Sequence, residues 1–167
     1  MLQELPEPKV DPELLSFVEA GSMQSIPNGQ LITLLEYAML PDGGESAIDD
    51  FSVKLLEVMG YCTRHRVTRT RVDLELIICN QYRHAKTDVC LVDGISVRNE
   101  ILLLLQEDKM LGNKPVRARA QLIAEIVAGF NQNNLRRIAS ALPPLVEKVS
   151  YVLISISLKH LTFVLLR

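Results

Sequence analysis

Apolar residues along this chain follow two rhythms. Ala47, Ile48, Phe51, Leu55 and Met59 recur at helical spacing, and Gly60 offers a stop. Val67–Cys79 is rich in Val, Thr and Ile and reads as a long strand. Arg69, Asp73 and Glu75 dot it, so one side is expected to be exposed. Gln81–Lys86 reads as a polar turn. Thr87–Gly94 (T-D-V-C-L-V-D-G) and 101–109 (I-L-L-L-L-Q-E-D-K) then carry apolar runs of strand length. The turn-rich Gly94–Glu100 lies between them, which predicts an antiparallel hairpin. Ala118, Leu122, Ile126 and Phe130 mark the apolar face of a later helix, with Gln121, Glu125 and Gln132 around the remainder. Asn131–Asn134 is expected to end or kink it. Tyr151–Ser157 alternates as a last core strand would, with Leu161–Leu166 as its continuation.

The segment before Ser46 has weaker signals. Met1–Val10, with Pro6 and Pro8, reads as an extended leader without a signal peptide. Asp11-Pro12 pairs a capping acid with proline at the first helical position, predicting a short helix to about Ala20, ended by Gly21. Gln30–Leu40 is a second candidate helix, closed by Pro41-Asp42-Gly43-Gly44. The expected organisation is an N-terminal extension over 1–45 and a domain over 46–167 with the order helix, three strands, helix, strand.

Charge changes this picture more than composition does. The chain has 167 residues and a net charge of −2. Residues 1–60 hold eleven acids and two bases, whereas residues 61–167 hold nine acids and sixteen bases. A basic second part suits contact with a polyanion; attraction between the two parts within one fold would need the same asymmetry. Cys62, Cys79 and Cys90 are widely spaced and lack a C-x-x-C pattern, which fits a reducing compartment and argues against a zinc site. The apolar Val149–Arg167 is interrupted by Lys159 and His160, and neither half is long enough to span a membrane. The expectation is an intracellular protein of cytoplasm or nucleus.

The candidate chemistry sits in the hairpin. Strand side chains alternate, so Asp88, Cys90 and Val92 share one face, and Glu107 and Lys109 share a face of the next strand. Facing one another, they would bring together two carboxylates and an ammonium. Magnesium takes hard oxygen ligands and keeps several waters, so Asp88, Glu107 and the Asp108 carbonyl suffice as protein ligands for Mg2+ or Mn2+. A metal so held acidifies water and neutralises phosphate charge, and Lys109 would serve the nucleophile. Solvated strand ends carry the same letters. Glu57, on the preceding helix, reads as a surface glutamate or as an extra acid. Arg64, Arg66, Arg83, His84, Lys86 and Lys114 flank these strands and form a candidate phosphate track for nucleic acid.

The acid followed by Glu-x-Lys, set in an αβββαβ order, resembles the PD-(D/E)XK nucleases. T-D-V-C-L-V-D, I-L-L-L-L-Q-E-D-K and Q-L-I-A-E-I-V-A-G-F are similar to a group of uncharacterised fungal proteins with that core, over about Phe51–Asn134. The resemblance implies an α/β (α+β) restriction endonuclease-like fold, with a central mixed sheet flanked by helices and extra N-terminal helices. It implies Asp88, Glu107 and Lys109 as the catalytic set, and Gln121 as a glutamine held near the metal. Thr87 stands where the family has its proline, and Ser150–Arg167 does not match the group. The activity implied is metal-dependent hydrolysis of phosphodiesters; as a partner, DNA is expected ahead of RNA. A catalytically inactive nucleic-acid-binding or protein-interaction module is the alternative. A homodimer is compatible with either.

Overall fold

The computed structural model describes residues 5–16, 19–42, 44–94, 100–105, 115–145, 151–157 and 160–166. Among them the protein is an α+β molecule with helices α1 (Ile26–Ala38), α2 (Gly44–Val58) and α3 (Pro115–Ala139). Its strands are β1 (Arg66–Thr70), β2 (Asp73–Ile78), β3 (Gln81–Lys86), β4 (Val89–Asp93), β5 (Glu100–Leu105), β6 (Tyr151–Ser157) and β7 (His160–Leu166). Three antiparallel sheets result, with orders β1-β4-β5, β2-β3 and β6-β7.

The first four strands form a single hairpin with a bend in it. Arg66 faces Asp93 and Thr70 faces Val89; beyond them Asp73 faces Lys86 and Ile78 faces Gln81. The register never shifts. Two backbone bonds carry it across the joint, Arg71 N–H to the Asp88 carbonyl and Thr87 N–H to the Val72 carbonyl, each 3.0 Å. Gln81–Lys86, expected as a turn, is therefore a strand. The turn is the two-residue Cys79-Asn80, with φ of 49° and 62°. Positive φ at both positions is the type I′ geometry that matches strand twist. A period-2 pattern was not visible in Gln81–Lys86 because its outer face is charged and only Ala85 is buried.

Strand β4 is buried on both faces. Val89 and Leu91 join Leu103 of β5 against Phe51, Leu55 and Leu56 of α2 and Leu31 and Ala38 of α1. Cys90 and Val92 join Ile101 and Leu104, Leu74, Leu76 and Ala85 of the hairpin arm, and Ala128 of α3. Helices thus cover both sides of the sheet, and α1 shares the core of α2. The β4–β5 pairing expected from the sequence is present, with an irregularity after Leu91. Strand β6 lies beside β5, and β7 folds back on β6 in place of continuing it.

Helix α2 ends at Gly60, in the left-handed region (φ 77°), with Tyr61 N–H on the Leu56 carbonyl and Gly60 N–H on that of Glu57. This is the Schellman stop expected there. The N-terminal segment forms two short 3₁₀ helices, Pro12–Ser16 and Ala20–Ser22. Glu13 Oε1 accepts from Gln24 N–H at 2.6 Å, and the buried Asn28 amide donates to both Asp11 and Glu13. Asn28, and then the Gln24 N–H, hold the Glu13 carboxyl below its ordinary range.

Helix α3 runs through Asn131–Asn134 without a break, and Ile126 and Phe130 of its expected apolar face pack against the core. Glu125, Ala128, Asn133 and Arg137 are buried, whereas Ile123, Val127, Leu135 and Ile138 are exposed. Asn133 replaces a strand partner: Oδ1 accepts from Ile101 N–H and Nδ2 donates to the Ile101 carbonyl, both at 2.8 Å. Asn134 holds Leu145 through the same two kinds of bond. Arg137 reaches Glu100 at 3.0 Å and the Pro143 carbonyl at 2.9 Å. Asn133→Ala strands two buried backbone groups, each costing about 1–3 kcal/mol. Denaturant unfolding is expected to show a loss of about 2–4 kcal/mol; a loss near that of Asn131→Ala, on the exposed side, contradicts the clamp.

Candidate functional site

The bend in the long hairpin is where chemistry-bearing residues meet. Beyond Thr70 the strand turns away at Arg71, a non-glycine residue with φ of 55°. Asp88 sits opposite, in a bend just before β4, half-buried, with its carbonyl accepting the Arg71 N–H. Thr87 is buried; its Oγ1 accepts from the Val72 N–H at 3.2 Å. That bond holds the bend together, so the threonine has a structural role of its own. Asp49 of α2 approaches the same point, its Oδ2 lying 3.7 Å from Arg71 Nε.

Asp49 is the acid that sequence reasoning passed over. Glu57 lies at the exposed end of α2 and meets Lys54 at 3.5 Å, which fits the surface role. Asp49, two turns earlier, has a largely buried side chain. Its position next to Ile48, on the edge of the helical stripe, was the available signal. On the other side of the sheet Glu125 is fully buried, although its polarity suggested the helix surface. Gln121 lies one turn before it on α3.

Glu107, Asp108, Lys109 and Lys114 lie outside the described residues. Among the described residues no three His, Cys, Asp or Glu side chains come together as a metal-holding group. The β4–β5 ladder is described as far as Val89 opposite Leu105. In it Val89 and Leu103 point toward α2, while Cys90 and Leu104 point toward α3.

The basic residues are divided among three places. Arg64 is exposed in the loop before β1, and Arg66 faces Asp93 at the end of the sheet away from the bend. Arg83 lies opposite Leu76 and donates to Gln81 Oε1 at 2.7 Å. His84 and Lys86 are on the other face of the arm, opposite Glu75 and Asp73. Each of these two therefore stands beside an acid, which offsets its charge locally. Lys86 is the nearest of the set to Asp88 along the chain.

Two arginines outside that set, Arg69 and Arg136, both exert their charge on Cys90. Arg69 faces Cys90 across the β1–β4 ladder, and Arg136 of α3 is half-buried. Burial, and after it the charge of Arg69, holds the Arg136 guanidinium below its ordinary range. Burial pushes the Cys90 thiol up, which the hydrogen bond from Thr87 and both arginines oppose.

The left-handed backbone at Arg71 costs a side-chain-bearing residue about 1 kcal/mol or more. Arg71 is the exposed partner of its 3.7 Å ion pair with Asp49, so the pair returns little. Arg71→Gly is therefore expected to raise stability by about 0.5–1 kcal/mol in chemical denaturation. A loss of more than that amount contradicts strain at the bend. No family model, curated protein or solved structure matches this chain.

Proposed function

We propose that the protein is a metal-dependent nuclease of the PD-(D/E)XK type, hydrolysing phosphodiester bonds of nucleic acid, with DNA the favoured substrate. The observation that carries this reading is the strained bend at Arg71–Asp88. A long hairpin changes direction there, and Asp88 meets an acid-bearing helix through Arg71. Strain kept at one point of a sheet is characteristic of functional sites. The element order, with helices on both faces of a three-stranded meander and β6 beside β5, supports a restriction endonuclease-like core.

In this reading Asp88, Glu107 and the Asp108 carbonyl hold Mg2+ or Mn2+, with Asp49 as an additional acid. Asp88 and Asp49 supply the hard oxygen such a cation prefers. The metal, when bound, supplies an acidified water and neutralises charge on the phosphate. Lys109 stays charged beside carboxylates and steadies the nucleophile or the developing charge. Gln121 contributes an amide from α3. The reading carries one geometric requirement. Asp88 and Glu107 share a metal only if strand alternation is broken once, at the bend holding Asp88 or beyond Leu105, because an unbroken ladder would put them on opposite faces.

The test is cleavage of linear, nicked and single-stranded DNA and of RNA with Mg2+ or Mn2+, alongside metal affinity on the same preparation. Asp88→Asn is expected to lose both cleavage and metal binding. Lys109→Met is expected to lower turnover by about two orders of magnitude or more while metal binding survives. Salt-sensitive binding without cleavage in the unmodified protein would replace the nuclease reading with that of a binding module.

A further inference from the structure

We propose that two copies of this chain pair through the outer face of α3, antiparallel, about a two-fold axis at Asn131. The inference stands on the fold alone and does not depend on the nuclease reading.

The outer face of α3 is apolar without being buried. Ile123, Val127, Leu135 and Ile138 are 59%, 46%, 65% and 59% exposed. With the exposed Asn131 they follow at intervals of four, four, four and three residues, which keeps them in one stripe. None of the five is charged. The helix packs on β2, β3 and β5 through its opposite side, where Glu125, Ala128, Asn133 and Arg137 are buried. The two bonds between Asn133 and Ile101 fix its rotation, so the stripe is held outward. Four side chains this exposed present roughly 400 Å² of apolar surface, the size of patch that marks an interaction site.

The order of residues within the stripe points to a second copy as the occupant. Counting outward from Asn131, Val127 answers Leu135, Ile123 answers the exposed Ala139, and Ile138 answers the half-buried Ala124. A copy turned about Asn131 therefore sets each large end residue against a small one, which lets the two faces interdigitate. Asn131 meets its own counterpart, and each amide can donate to the other's oxygen. One amide in an apolar seam fixes register, because any slip leaves both amides without partners. Antiparallel helices also oppose their dipoles. A parallel pair would instead bring together like helix ends and the Arg136–Arg137 cations of both copies. A standard interface buries about 800 Å² per partner, and the stripe supplies about half of that, so association in the micromolar range is expected.

The experiment is sedimentation equilibrium of the full chain over about 1–200 μM, a range chosen around that affinity, at low and high salt. The proteins are the unmodified chain, V127E, L135K, V127E/L135K, N131D and a control, I77E, which changes an exposed apolar residue on the hairpin arm. The unmodified chain and I77E are expected to dimerise alike, without weakening as salt rises. V127E and L135K each bury two charges per dimer and are expected to weaken association by about 30-fold or more. N131D sets two carboxylates at the axis and is expected to weaken it by about 10-fold. V127E/L135K is expected to recover dimerisation, because each glutamate then meets a lysine of the other copy. Within one helix these two positions are two turns apart, about 12 Å, too far to pair. A parallel dimer would oppose like charges in the double variant, so failure to recover overturns the proposal. A monomer at every concentration overturns it, whether the stripe meets another protein or a segment of its own chain. A dimer that V127E leaves intact, or one that salt dissolves as pairing of acidic with basic parts would, also overturns it. Val127 is half exposed in the single chain, and N131D repeats the test at an exposed position should V127E fail to fold.

Discussion

Everything described in this fold is arranged around β4, a five-residue strand buried on both faces. Its odd-numbered side chains require α1 and α2, and its even-numbered ones require α3 and the folded-back arm of the hairpin. Burial on two faces removes the choice of register, since a one-residue slip would exchange every partner. The two neighbours, β1 and β5, are fixed by the same constraint. The long hairpin can then keep one register along its length only by bending at Arg71, so that Leu74, Leu76 and Ala85 reach α3.

That bend links packing to chemistry. A straight hairpin would carry its far half past the sheet and leave α3 with less to cover. Bending it puts Arg71 in a left-handed conformation and turns Asp88 out of the ladder just where β4 begins. Thr87 holds the corner from below, and Asp49 approaches it from α2. The corner is thus a product of the core as much as a candidate site. The bend is held by the backbone bonds of Arg71 and Thr87 and by the Thr87 hydroxyl.

Helix α3 shows how polar groups can do work usually assigned to apolar ones. Its buried stripe includes Glu125, Asn133 and Arg137, and it is fixed to β5 through an amide that copies a strand's hydrogen bonds. Such contacts are directional, so they set the rotation of the helix as well as its distance. Rotation is what leaves Ile123, Val127, Leu135 and Ile138 exposed.

The sequence by itself determined the elements whose signal is local. The stripe Ile48–Phe51–Leu55 and the glycine at 60 specify α2 and its stop, and Val-Cys-Leu-Val between two turns specifies a buried strand. The β4–β5 hairpin and Tyr151–Ser157 were legible for the same reason. Asp88 could be singled out from letters alone, since an acid at the mouth of an apolar strand is visible without coordinates. Tertiary structure decided what depends on partners distant in sequence. Gln81–Lys86 has no apolar rhythm of its own and is a strand only because Asp73–Ile78 lies opposite. Asn131–Asn134 reads as a helix end until Ile101 and Leu145 are present to accept and donate. The polar part of the buried face of α3, Asn133 and Arg137, could not be read from hydrophobicity, because it depends on bonds to β5 and the 141–145 segment. Asp49 became a candidate for the same physical reason: it is defined by Arg71, which stands across from it, and linear spacing does not encode that.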